Sequence, residues 1–165
     1  MTGPRNAPRR TLGCHDRALG LLAVRARSRR ELERRLLQAG FNQDEVAAEL
    51  DRLEAVGLID DEAFARQVAA HEFGTRRSGR RVVTGGLLSK GVAPALVDRV
   101  LEELDGDEDD RIAALARSRA GRLTGLDPVT AFGRLTSFLI RRGYEPGPAR
   151  AAARRAVGVE GAEDE

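Results

Sequence analysis

Residues 28–65 read SRRELERRLLQAGFNQDEVAAELDRLEAVGLIDDEAFA, and the fold is decided in this stretch. Ser28 and Glu31 stand at capping-box spacing, so the hydroxyl takes a free backbone N–H while the carboxylate reaches back. Leu32 and Leu36 recur four apart, on one face of a helix. Gly40 ends that helix, where a left-handed residue costs glycine nothing. Asn42 caps the next helix, with Asp44 and Glu45 at its positive end. Val46, Leu50 and Leu53 form its buried stripe. The spacing predicts two helices joined by a glycine turn, then a short apolar linker into a third.

The module recurs. LLQAGF (Leu36 to Phe41) aligns with LLSKGV (Leu87 to Val92) and LIRRGY (Leu139 to Tyr144). The turn glycines are Gly40, Gly91 and Gly143, spaced 51 and 52 residues apart. Leu32, Val83 and Leu135 stand eight residues before them. After them, at matched offsets, stand Val46, Leu50 and Leu53; Val97, Leu101 and Leu104; and Ala149, Ala153 and Ala156. Such matching through three copies defines a threefold repeat.

Composition fits. Aromatics are 4% of the 165 residues, so the core is built from Leu, Val and Ala in thin layers between helices. A copy of roughly fifty residues buries little apolar surface alone, so stability depends on stacking neighbours. The expected fold is all-α, three tandem three-helix repeats stacked into an elongated array.

The expected order is a disordered basic tail over 1–15, repeats over 16–59 and 60–104, an acidic linker over 105–110, a third repeat over 111–157 and an acidic tail over 158–165. The first repeat adds a helix over 16–25 to helices over 28–39 and 42–56. In the second, Asp60 or Asp61 caps a helix carrying Phe64, Val68 and Phe73. A helix over 80–90 follows and holds Gly85–Gly86, each costing roughly 1 kcal/mol against alanine. That pair implies a kink or a closely packed neighbour. Pro94 suits the first turn of the next helix, and Asp127–Pro128 is a cap followed by a first-position proline. Helices over 110–120, 129–142 and 148–157 complete the third repeat.

Several function classes find no support. Cys14 is the only cysteine, and His15 and His71 are the only histidines, so neither a disulfide nor a zinc site is expected. No phosphate-cradling loop or nucleophile elbow is present. No apolar stretch is long enough to span a membrane, and no apolar segment follows the N-terminal arginines as a signal peptide requires. The lone thiol points to a reducing cytosol. The expectation is a non-enzyme without cofactor or metal, with no membrane partner. A helix-turn-helix DNA reader fits poorly, because the helices after the first two turns open Asn42-Gln43-Asp44-Glu45 and Ala93-Pro94-Ala95. These would present acids to phosphates or nothing to base edges.

Net charge is only +2 but badly mixed, since the acidic runs 105–110 and 160–165 offset a strongly basic remainder. Arg29–Arg30 and Arg80–Arg81 lie eleven and ten residues before their glycines. Arg27, Arg30 and Arg34 fall on one face of a helical wheel, away from Leu32 and Leu36, and Arg76 and Arg77 precede the second pair. Repeated basic positions on stacked modules would make a stripe attractive to phosphates or an acidic groove. The alternative is a solvated face laced with pairs such as Glu31 with Arg35.

Arg25-x-x-Ser28-x-x-Glu31-Leu32, Gly40-Phe41 and Gly57-Leu58-Ile59-Asp60-Asp61-Glu62-x-Phe64-Ala65 together resemble the RecX family. Leu88-x-Lys90-Gly91-Val92 and Arg141-Arg142-Gly143-Tyr144 extend the resemblance, while Gly86 replaces the glutamate common before the second module's leucine. The resemblance implies a curved, elongated array that binds the RecA recombinase filament on DNA and restrains its ATPase and strand-exchange activities. The candidate filament- or DNA-binding set is Arg27, Arg29, Arg30, Arg34, Arg76, Arg77, Arg80, Arg81, Lys90, Arg141 and Arg142. Sequence-independent contact with single- or double-stranded DNA is the alternative role, and a monomer is expected.

Overall fold

The computed structural model describes residues 12–104 and 106–158. Most of the expected basic tail, Asp105 of the acidic run, and the acidic tail beyond Gly158 lie outside the described residues. Among those described, the secondary structure is nine α-helices and no strand: α1 (Cys14–Val24), α2 (Arg29–Gln38), α3 (Gln43–Ala55), α4 (Asp61–Gly74), α5 (Arg80–Ser89), α6 (Pro94–Leu104), α7 (Glu108–Ala120), α8 (Pro128–Arg141) and α9 (Pro146–Val157). The chain divides into two compact units, Met1–Asp61 and Glu62–Glu165. The first holds α1 to α3; the second holds α5 to α9 and all of α4 after Asp61.

The three glycine turns share one hydrogen-bond pattern. Gly40, Gly91 and Gly143 have φ of +96°, +78° and +96°. Their N–H groups donate to Leu37, Leu88 and Ile140, and the next N–H, of Phe41, Val92 or Tyr144, reaches back to Leu36, Leu87 or Leu139. This is the Schellman arrangement, which satisfies the orphan carbonyls at a helix end. Leu32, Leu36, Val83, Leu87, Leu135 and Leu139 are all buried on the faces read from the sequence.

Each repeat owns a core. In the first unit Leu32, Leu36, Val46, Leu50, Leu53 and Ile59 pack with Cys14 and Ala18 of α1. Phe64, Ala65, Ala69 and Phe73 of α4 pack on Val83, Leu87, Val97 and Leu101. In the third repeat Ala149, Ala152 and Ala153 of α9 meet Ile112, Ala116, Leu135 and Leu139, with Tyr144 fully buried among them. Alanine removes bulk on the α9 side, which lets one aromatic ring fill the layer.

Several element boundaries differ from expectation. Helix α1 begins at Cys14, so Cys14 and His15 belong to the first helix, with Cys14 in its core. Helix α7 begins at Glu108, because Asp107 caps it through the Asp110 N–H at 3.0 Å and carboxylates suit a positive helix end. Helix α9 begins at Pro146, two residues early, because N–H groups of a first turn have no intrahelical partner for proline to remove. Gly85 and Gly86 lie in one helix, and a Cβ on either would meet nothing within 4 Å. Close packing therefore does not account for the pair.

The second and third repeats interlock at helix ends within the second unit. Gly79 is the N-cap of α5, and no side chain caps that helix. The α8–α9 turn supplies the acceptors instead: the Gly79 N–H donates to the Arg142 carbonyl at 2.8 Å and the Arg81 N–H to that of Gly143 at 3.3 Å. Glu108 Oε1 accepts from the Arg80 N–H at 3.2 Å, and the Tyr144 hydroxyl donates to the Arg77 carbonyl at 2.8 Å. The positive end of α5 thus meets the negative end of α8.

Candidate partner-binding surface

The expected basic residues divide into structural and outward-facing groups. Arg27 lies before the N-cap of α2, so it shares no helical face with Arg30 and Arg34; its Nε donates to the Leu21 carbonyl at 3.1 Å. Burial lowers its pKa first, with the Arg25 charge adding. Arg29 is committed within its own repeat, with its guanidinium 2.6 Å from Asp51 and 2.7 Å from Glu54 on α3. Burial alone would lower its pKa, but the two carboxylates outweigh it and raise it. Arg76 pairs with Glu72 at 3.2 Å. Arg142 is the C-cap of α8, half-buried, with Nε buried and unbonded. Arg80 and Lys90, at the two ends of α5, are also half-buried.

Arg30, Arg34, Arg77, Arg81 and Arg141 are exposed, as is the paired Arg76. Among the described residues, Arg30 and Arg34 on α2 make no ion pair, and the Arg81 side chain makes only a 3.4 Å contact with the Ile140 carbonyl. Arg77 holds φ +50°, and its carbonyl is fixed by Tyr144. Glu31 does not pair with Arg35; its partner is Arg25, at 3.0 Å, alongside the capping box with Ser28. That bond raises the Arg25 pKa.

Of the two residues expected to cap α4, Asp60 directly precedes the helix, while Asp61 is its first residue and its Oδ1 accepts from the Arg29 N–H at 2.7 Å. It therefore closes the N-terminus of α2. Burial raises its pKa, against the N–H bond. The folded state thus holds the proton more tightly than the unfolded one. Stability from this group is complete below the ordinary carboxylate pKa of about 4 and falls as pH rises through the folded value. Asp61→Asn keeps the acceptor and loses the charge, so at pH 7 it should be at least as stable as the parent. Asp61→Ala should lose about 1 kcal/mol, both read by urea unfolding.

The family models "RecX, first three-helix domain" and "RecX, second three-helix domain" match residues 14–53 and 60–101. The regulatory protein RecX of Mycobacterium avium is 41% identical over 128 residues, 76% of this chain and 74% of that one. The chain belongs to the RecX family. The regulatory protein RecX of Streptomyces coelicolor is 34% identical across 89% of this chain and 79% of its own. The crystal structure of RecX from Lactobacillus salivarius superposes with a TM-score of 0.73 at 19% identity, covering 88% of this chain and 96% of that one. It shares the fold.

The residues that carry the RecX resemblance are folding residues. Arg25, Ser28 and Glu31 build the cap of α2, and Gly57, with φ +75°, ends α3 so that Ile59 turns into the core. Asp61 caps α2, and Phe64 and Ala65 enter the second core. Sequence reasoning missed two cations beside Arg141: Arg119 on α7 and Arg134 on α8. Neither falls at a repeated offset, so only Arg134 had a signal, its seven-residue helical spacing from Arg141. Among the described residues, no helix is long and apolar enough to cross a membrane.

Proposed function

We propose that this protein is a non-enzymatic regulator that binds the RecA recombinase filament on DNA and inhibits its ATPase and strand-exchange activities. Membership of the RecX family across three-quarters of the chain carries the reading. The relatives are named regulatory proteins, which favours control by occupancy over chemistry. The geometry is compatible: Arg30 and Arg34 on α2 of the first unit, and Arg77 before and Arg81 on α5 of the second, are exposed positive charges. Many weak contacts of this kind sum on a long polymer without a deep pocket. The contact surface is proposed to centre on these four, with Arg27, Arg29 and Arg142 supporting the fold. The protein acts as a monomer in the cytoplasm.

Co-sedimentation tests this. Recombinase filaments assembled on single-stranded DNA should carry the protein into the pellet, and more of it than DNA alone at equal nucleotide concentration. Equal pelleting with naked DNA would reject the filament as the target.

A further inference from the structure

Leu123, Ala156 and Val157 are only half-buried at the edge of the third core. Thirteen residues after the turn glycine the first two repeats have Leu53 and Leu104, but the third has Ala156. Where that leucine is missing, Ala156 and Val157 of α9 line a groove of about 450 Å³ with Leu123, Leu126 and Pro128. Arg117 of α7 lines it too, and no carboxylate among the described residues does. Arg117, and Arg122 between the lining residues Gly121 and Leu123, are exposed and make no ion pair with any described residue.

Gly158 caps α9 with φ +70°, and its N–H donates to the Arg154 carbonyl at 3.1 Å. A left-handed residue here turns the chain back across the helix end. The residue after each turn glycine is apolar and drawn inward: Val92 and Tyr144 are buried, and Phe41 packs against the first core. After Gly57 it is the second residue, Ile59, that enters the core. Gly158 is followed in the sequence by Val159, and then by Glu160, Glu163, Asp164 and Glu165.

We propose that residues 159–165 are an intramolecular ligand of this groove, a latch that closes the third core. Val159 supplies the aliphatic side chain that Ala156 lacks, and it follows directly on the groove wall formed by Ala156 and Val157. The carboxylates beyond it reach Arg117 and Arg122, because seven extended residues span about 23 Å. A tethered segment acts at an effective concentration on the order of millimolar, which favours it over the same segment of a second copy. Exposed ion pairs are weak and screened by salt, so Val159 holds the latch and the carboxylates tune it. Seated, the segment masks both arginines; released, it uncovers them.

The test is methyl NOE spectroscopy of the full chain. Val159 should show cross-peaks to Leu123 and Leu126, and mixtures of isotope-labelled and unlabelled chains should show them only within one molecule. Val159→Ser should erase them and lower Tm by about 5 °C, as expected for losing one part-buried aliphatic side chain from a unit of about 100 residues. Ala156→Leu, which fills the groove from α9, should also erase them, and adding Val159→Ser to it should lower Tm no further. Arg117→Glu/Arg122→Glu should at least halve the cross-peak intensity in a protein that folds like the parent. Missing cross-peaks in the parent, or cross-peaks between molecules, would overturn the proposal. So would an equal Tm loss from Val159→Ser in both backgrounds, or cross-peaks unmoved by reversing both arginines. No recombinase is present, so failure here leaves the filament reading untouched.

Discussion

Gly79→Ser should destabilise the second unit by about 3 kcal/mol, although serine is by local rules the better N-cap. A Cβ at Gly79 would lie 2.4 Å from the carbonyl carbon and oxygen of Gly143 and 2.6 Å from the Tyr144 nitrogen. Those are backbone atoms of a hydrogen-bonded turn and have little room to yield. The substitution must push α5 from the α8–α9 turn, breaking the Gly79–Arg142 and Arg81–Gly143 bonds and uncovering Tyr144. Overpacking of this kind costs about 1–3 kcal/mol, and each lost hydrogen bond adds about 1. For a unit of about 100 residues, 3 kcal/mol is a fall in Tm of roughly 15 °C. Gly40→Ala is the matched control: its φ of +96° makes it strained, but no atom lies within 4 Å, so about 1–2 kcal/mol is expected. Equal or smaller loss in Gly79→Ser, measured by thermal and urea unfolding, would mean that the two repeats do not meet as described.

The second large effect is functional. Replacing Arg30, Arg34 and Arg81 together by alanine removes three exposed charges and no core side chain, so folding should change little. Exposed charge contacts are worth about 0.2–1 kcal/mol each, so losing three should raise the half-inhibitory concentration against recombinase ATPase by about tenfold. Added salt should weaken the parent more than the variant, because the parent has more screened charge to lose. Arg29→Ala provides the contrast. Its pairs with Asp51 and Glu54 hold α2 to α3, so it should lower stability and leave inhibition by the folded protein near the parent value. A folded triple variant that inhibits like the parent would reduce those arginines to a solvated face.

Those two results also mark what was legible in the sequence. The turn glycines and the matched Leu and Val offsets report local rules, a left-handed residue and a 3.6-residue period, and they located every repeat. Ser28, Asn42 and Asp127 read directly as caps for the same reason. Gly79 carried no such signal. Its meaning is set by Gly143, 64 residues away, and appears only once the backbones meet. The basic residues were legible as charges but not as partners. Arg29 looked like Arg30 until Asp51 and Glu54 stood beside it. Arg119 and Arg134 fell at no repeated offset, so repeat logic passed over them. Asp60 and Asp61 were equally legible as caps of α4, and tertiary packing turned the Asp61 carboxylate to α2.

The central claim is regulation of the recombinase filament, and steady-state ATP hydrolysis tests it most directly. RecA assembled on single-stranded DNA should hydrolyse ATP progressively more slowly as this protein is titrated in. The fall should begin below one molecule per recombinase protomer, because one regulator bound along a polymer affects several subunits. An unchanged rate at saturating protein, with pelleting proving that both molecules share the filament, would contradict the account.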